Sequence, residues 1–189
     1  MTFLNQKEAV EPRQRFEELY TGHYAAVSGY VRRRTDHPDD CADVIAETFT
    51  TAWRRLADVP AGDEARLWLY GTARRVLANH RRGALRRTAL TLRLREELST
   101  YDSTAPDRAP EGAREAFARL SDDDRELLSL MGWEGLGTDE IAKVLGCSRV
   151  AVRQRLHRAR KRLAIELAAI DIDLSTYGPR AVSLAKESA

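Results

Sequence analysis

Two stretches of the sequence concentrate arginine and hold no acidic residue. Between Ile141 and Ile165 lie Arg149, Arg153, Arg155, Arg158, Arg160, Lys161 and Arg162. Between Arg74 and Arg95 lie arginines at 74, 75, 81, 82, 86, 87, 93 and 95. Guanidinium groups at this density suit phosphate oxygens, and an arginine fork can also read guanine in the major groove. A third group has the opposite sign. Asp39, Asp43 and Glu47 are spaced i, i+4, i+8, with Asp40 beside them. Such a carboxylate row fits a basic protein partner and repels DNA; a merely solvated helix face explains the same row without a partner.

Other chemistries find little support. There is no Gly-rich phosphate loop ending in Lys-Ser/Thr and no His-Glu-x-x-His pair. His23, His37, His80 and His157 are scattered, which suits surface or packing roles. Cys41 and Cys147 lie far apart and make neither a disulfide framework nor a zinc pattern. Both are expected to be small buried hydrophobes. Asp39, Asp40 and Asp43 are neighbours on one helix rather than members of a convergent metal pocket. The expectation is a protein that is not an enzyme, with no cofactor and no metal.

The bulk numbers agree with a helix-rich globular protein. The chain has 189 residues, 43% hydrophobic and 32% charged, with a net charge of only +2. That length suits one ordinary domain or two small ones. The small net charge hides the two basic blocks, so distribution matters more than total. No run of about 18 apolar residues occurs, and the N-terminus lacks a basic head before an apolar core. No membrane insertion and no secretory signal are expected, and a reducing cytoplasm suits the unpaired cysteines.

The elements that position these residues can be read from spacing. Residues 1–12 are expected to be frayed, with Pro12 near the first helix start. Phe16, Tyr20, Tyr24, Val27 and Val31 draw one stripe on that helix. A second helix starts near Pro38-Asp39-Asp40, with Ile45, Phe49, Ala52, Trp53 and Leu56 as its apolar side. A third begins around Glu64 and runs through Leu67-Trp68-Leu69-Tyr70 into the first arginine block. Residues 99–113, rich in Ser, Thr, Pro, Asp and Ala, read as a linker.

The second unit starts near Arg114. Ser121 is positioned to cap a helix carrying Leu127, Leu128, Leu130 and Met131, and Thr138 to cap the next, with Ile141, Ala142, Val144 and Leu145. Gly146-Cys147-Ser148 makes a tight turn, and Arg149 opens a long helix with Val152, Leu156, Ala159 and Leu163 on one face. A short helix, a glycine turn and a second helix form a helix-turn-helix. Gly146 sits where positive φ is needed, and Ser148 can cap the helix whose amides face DNA. The N-terminal part of that helix meets bases. Arg149, Arg153 and Gln154 are thus base-reading candidates, and Arg158 and Lys161 phosphate clamps; Ser148 and Arg155 complete the set. The fold class expected is all-α: two small helical domains at 13–98 and 114–168, joined by a flexible linker over 99–113, with a tail at 169–189 of unassigned fold.

The order of the pieces adds a resemblance. The segment from Asp40 to Trp53 (Asp-Cys-Ala-Asp-Val-Ile-Ala-Glu-Thr-Phe-Thr-Thr-Ala-Trp) resembles region two of bacterial sigma factors, and Arg66 to Arg74 looks like the tryptophan-leucine segment that follows. Leu120-Ser121, Glu140-Ile141-Ala142, Leu145-Gly146, Ser148 and Arg158-Ala159-Arg160 resemble region four. The whole is similar to the extracytoplasmic-function sigma factors of the sigma-seventy family, which hold only these two regions. The resemblance implies binding to core RNA polymerase through Asp39, Asp40, Asp43 and Glu47. It implies capture of a melted downstream promoter element by Arg74, Arg75, Asn79, His80, Arg81 and Arg82, and duplex binding of the upstream element by region four. An anti-sigma factor is the further partner that it implies. Unpaired bases often stack on aromatic side chains, but Trp68, in a stripe with Leu67, is expected in the core. The chain departs from the residues that family members often carry at Arg75, Asn79, Val150 and Ala151.

The alternative is a stand-alone helix-turn-helix regulator with an N-terminal sensor or dimerisation domain, binding a palindromic site without polymerase. A sensor domain has no need of the second basic surface at 74–95. A nucleic-acid enzyme lacks an acidic metal constellation near either basic block.

Overall fold

The computed structural model describes residues 2–35, 37–92 and 111–170, with side chains described for 11–35, 37–83 and 112–170. The expected linker at 99–113 falls outside the described residues except for its last three positions, which are helical. The tail lies outside them beyond Ile170. Every described regular element is helical. The chain divides into two compact units, each with its own core.

The first unit packs α1 (Thr2–Arg32), α2 (Pro38–Arg54) and α3 (Asp63–Leu92), with a short 3-10 turn at Leu56–Asp58. The expectation of a frayed N-terminus is overturned: α1 runs from Thr2, and Pro12 lies inside it. Proline removes one backbone hydrogen bond, but Leu, Gln, Lys, Glu and Ala before it are good helix formers. Pro38 opens α2 with Asp39 and Asp40 in its first turn, where a fixed φ and negative charge both help. The core joins Leu19, Val27, Tyr30 and Val31 of α1 to Val44, Ile45, Phe49 and Ala52 of α2. Leu69, Tyr70, Ala73, Val76 and Leu77 of α3 complete it. The stripe expected on α1 is buried only in its later part. Val27 and Val31 are buried, whereas Tyr20 is 41% and Tyr24 39% exposed although they share that helical phase, and Leu19 and Tyr30 are buried beside them. Trp53, expected on the apolar side of α2, is 48% exposed, at the edge of the arc that Val44, Ile45, Phe49 and Ala52 bury.

The second unit holds α4 (Glu111–Ala118), α5 (Asp122–Gly132), α6 (Thr138–Leu145) and α7 (Arg149–Ala169). Ser121 caps α5, its hydroxyl oxygen accepting from the Asp124 amide at 3.2 Å. The α6 cap differs from expectation. Gly137, not Thr138, is the cap residue, and Glu140 reaches back to accept its N–H at 2.8 Å. The three-residue offset lets this carboxylate satisfy an orphan donor that no glycine side chain can. Gly146 ends α6 at φ 65°, a conformation glycine adopts without a Cβ clash. Leu127, Leu130, Leu136, Ile141, Val144, Val152, Leu156 and Ala159 fill the core. Cys41 is buried as expected, whereas Cys147, in the turn, is only half-buried.

Candidate nucleic-acid interface

Ser148 sets the start of α7. Its hydroxyl oxygen accepts the Ala151 amide at 3.1 Å, leaving neighbouring first-turn amides available to an anion. Helical spacing then divides the basic run. Val152, Leu156 and Ala159 are buried against the other helices. Arg149, Val150, Arg153, Gln154, His157, Arg158 and Lys161 are exposed and share the opposite face. That face gathers five of the seven residues expected to touch the upstream element, with Ser148 at its head.

The remaining cations of α7 turn towards α4 and α5. Arg155 pairs with Asp123 at 3.1 Å, and Arg162 with Asp124 at 2.6 Å. Arg160 lies with its Nη2 2.9 Å from the Met131 sulfur, and Arg119 of the α4–α5 turn pairs with Glu166 at 3.5 Å. Arg155 thus lies off the shared face, half-buried and held by Asp123. Sequence reasoning also missed Asp139, which holds the Arg149 Nε at 3.0 Å. An acidic first turn on α6 was the available signal, since a helix-turn-helix folds that turn back towards its second helix.

In the first unit, α3 carries Arg75, Asn79, Arg81 and Arg82 exposed and Arg74 half-buried, with Arg75 and Arg82 on the side away from its buried residues. The Arg82 Nη2 donates to the Asn79 carbonyl oxygen at 2.6 Å, and the Arg75 Nη2 to the Thr72 hydroxyl at 3.3 Å. Arg81 also donates to the Arg34 carbonyl at the end of α1. His80 does not join this group. It faces α2, its Nδ1 4.0 Å from the Asp40 carboxylate. Arg86 and Arg87 carry side chains outside the described set, and Arg93 and Arg95 lie outside the described residues. Trp68 is half-buried, so its ring is neither a free platform nor wholly core.

The acidic row lies on α2. Asp39, Asp43 and Glu47 are exposed, and Asp40 is half-buried beside His80. The same helix also carries part of a feature that the sequence reading placed in the core. Trp53 packs edge-on against Phe16 with ring centres 5.1 Å apart, and Tyr20 lies 4.7 Å from Phe49 and 5.1 Å from Tyr24. Tyr20, Tyr24 and Trp53 form a part-exposed aromatic rim over Phe16 and Phe49. Its signal in the sequence was the i, i+4 aromatic spacing on both helices, which fits a rim as well as a core.

Among the described residues no helix is long and apolar enough to cross a membrane. Comparison with known proteins now adds to the geometry. Residues 19–87 match the family "Sigma-70 region 2" and residues 111–163 the family "Sigma-70, region 4". The chain is 31% identical over 159 residues to the RNA polymerase sigma factor YlaC of Bacillus subtilis, covering 80% of this chain and 91% of that protein. It is 28% identical over 162 residues to the ECF RNA polymerase sigma factor SigL of Mycobacterium tuberculosis, covering 82% and 89%. Among solved structures, CnrH in complex with the cytosolic domain of CnrY aligns with a TM-score of 0.54 at 26% identity, covering 82% of this chain and 88% of that one. The sigma factor RpoE of Bartonella quintana, solved with the anti-sigma factor NepR, shares the fold with a TM-score of 0.60 at 22% identity, covering 83% and 98%. Two helical units, a helix-turn-helix in the second, and relatives matched over most of their length lead to one assignment: the chain belongs to the sigma-70 family, in its extracytoplasmic-function group of transcription initiation factors, which bind core RNA polymerase and direct it to promoters.

Proposed function

We propose a division of labour among three surfaces. The exposed side of α2, with Asp39, Asp43 and Glu47 and with Asp40 at its edge, docks on core RNA polymerase. The rim of Tyr20, Tyr24 and Trp53 supplies the apolar part of the same contact, since interfaces centre on aromatic anchors and use charge for steering. The basic part of α3, with Arg74, Arg75, Asn79, Arg81 and Arg82, holds the downstream element as it melts, and His80 contributes from beside Asp40 of α2. The exposed face of α7 holds the upstream element as duplex: Ser148, Arg149, Arg153 and Gln154 lie nearest the bases, and Arg158 and Lys161 clamp phosphates. Arg155 buttresses the helix through Asp123.

The observation that carries this reading is the separation of charge by helix. The exposed carboxylates of the first unit's second helix and the cations of α3 and α7 lie on separate elements, which suits a protein that must hold both a basic protein and DNA. Catalysis stays with the polymerase, and the chain works in the cytoplasm where polymerase and promoters are. CnrH and RpoE were solved bound to CnrY and NepR, and an anti-sigma partner of this chain would cover the same surfaces.

The test is reconstitution with core polymerase on a genomic promoter library, reading run-off transcripts. Specific transcripts are expected, and Asp43→Lys with Glu47→Lys is expected to abolish them while isolated DNA binding survives. Absence of polymerase binding by the unmodified chain refutes the reading.

A further inference from the structure

Val150 is 61% exposed on the first turn of α7. It is the one large aliphatic side chain on the forward part of the face that carries Arg149, Arg153 and Gln154. Folding gives no reason for it. A β-branched residue in an exposed helical turn loses rotamer freedom and leaves its methyls in water. Of the other exposed large hydrophobics in this unit, Trp133 rests edge-on against Phe117. Ile165, 59% exposed, lies fifteen residues further along α7, about 22 Å away along the axis by helical rise.

The place of Val150 in the helix-turn-helix suggests what covers it. The first turns of the second helix enter the major groove. Polar side chains on either flank, Arg153 and Gln154, suit donors and acceptors on base edges. The apolar group that the four bases present in that groove is the C5-methyl of thymine. We infer that Val150 contacts the C5-methyl of a thymine in the upstream promoter element and so selects a T·A pair there; this rests on the reading of α7 as the duplex-binding helix. Cytosine at the same place carries a hydrogen where thymine carries the methyl, so the valine loses its apolar contact. One methyl removed from such a contact weakens binding roughly fourfold. The contact also gives a physical role to one of the positions where the chain departs from its family.

Holoenzyme assembled from the full chain and core polymerase is used to select binding sites from duplexes with a randomised upstream element. Each thymine of the selected element is then replaced singly by deoxyuridine, which removes the methyl and keeps the base pair. The expected result is one position where this costs roughly fourfold with the unmodified chain and nothing with Val150→Ser. Val150→Ile is expected to keep the preference, and 5-methylcytosine there to bind better than cytosine. The inference is overturned if every deoxyuridine is tolerated within about twofold, or if the unmodified chain and Val150→Ser lose affinity equally. Failure to select any sequence sinks the duplex-binding reading itself, and the inference with it.

Discussion

The pair between Arg162 and Asp124 joins α7 to α5, and its two ends are not equivalent. The Asp124 side chain is 8% exposed, the Arg162 side chain 59%, and the Nη1 to Oδ2 distance is 2.6 Å. Replacing Asp124 by Ala releases a guanidinium that is already half in water. It loses one charge-assisted hydrogen bond, discounted for screening, or about 1–2 kcal/mol. Replacing Arg162 by Ala strands a carboxylate in a nearly closed site. Only the helix N-terminus then compensates it, and the cost rises to about 2–3 kcal/mol. Because the two units have separate cores, a single melting curve would mix their transitions. Hydrogen exchange on the full chain resolves them by element. The Arg162→Ala variant is expected to speed exchange of the most protected α5 and α7 amides by roughly 30- to 150-fold, and Asp124→Ala by roughly 5- to 30-fold. Amides of α1 to α3 are expected not to change. The double variant should resemble Asp124→Ala, since no stranded charge remains. A larger effect of Asp124→Ala than of Arg162→Ala would refute the argument from unequal burial.

Three further outcomes are expected. Arg149→Ala relaxes sequence preference at one base pair, whereas Arg158→Ala weakens binding evenly across sequences, as competition assays on a panel of duplexes will distinguish; equal behaviour of the two removes the distinction between base reader and clamp. Gly146→Ala destabilises the second unit by about 1 kcal/mol in denaturant unfolding, because φ is 65° and a Cβ there meets nothing within 4 Å; a much larger loss would point to a steric role. Burial, reinforced by Arg66 and opposed by Asp63, holds the His23 imidazole below its ordinary 6.5. The unfolded chain therefore takes up that proton first as pH falls, so stability declines from 6.5 downward until the folded-state value is passed. The His23→Asn variant is expected to show a shallower decline in first-unit stability between about pH 7.5 and 5.5; an unchanged slope excludes His23 as the source.

The helix-turn-helix was legible because several local signals coincide. The Ser148 cap, the positive-φ glycine and the buried run of Val152, Leu156 and Ala159 each need only a few residues to be read. What escaped the sequence were relations between elements. Tyr20, Tyr24 and Trp53 have core-like spacing, yet each is 39–48% exposed, because spacing fixes a helix face and not how far along it the neighbouring helices reach. Arg153 and Arg155 are chemically identical and two positions apart, yet one faces outward and the other meets Asp123. Which carboxylate an arginine finds depends on how α5 crosses α7, and no helical period encodes that. Likewise the Gly137 cap depends on a glutamate three residues later rather than on the cap residue's own side chain.

The acidic opening of α5 bears on how the protein searches a genome. Seven cations lie between Arg149 and Arg162, and a count from sequence would have all of them displace condensed counterions from DNA. That count gives a slope of log affinity against log salt of about −6. Asp123 and Asp124 already neutralise Arg155 and Arg162, and Arg160 is turned inward against Met131. Four cations remain, one of them shared with Asp139, and the slope falls to about −3 to −4. Lower non-specific affinity shortens each visit to random sequence and leaves more of the discrimination to the few side chains that touch bases. On the proposed reading of α7, the acids of α5 thus act as built-in counterions, making promoter choice by this unit less sensitive to the ionic strength of the cell than its arginine content suggests.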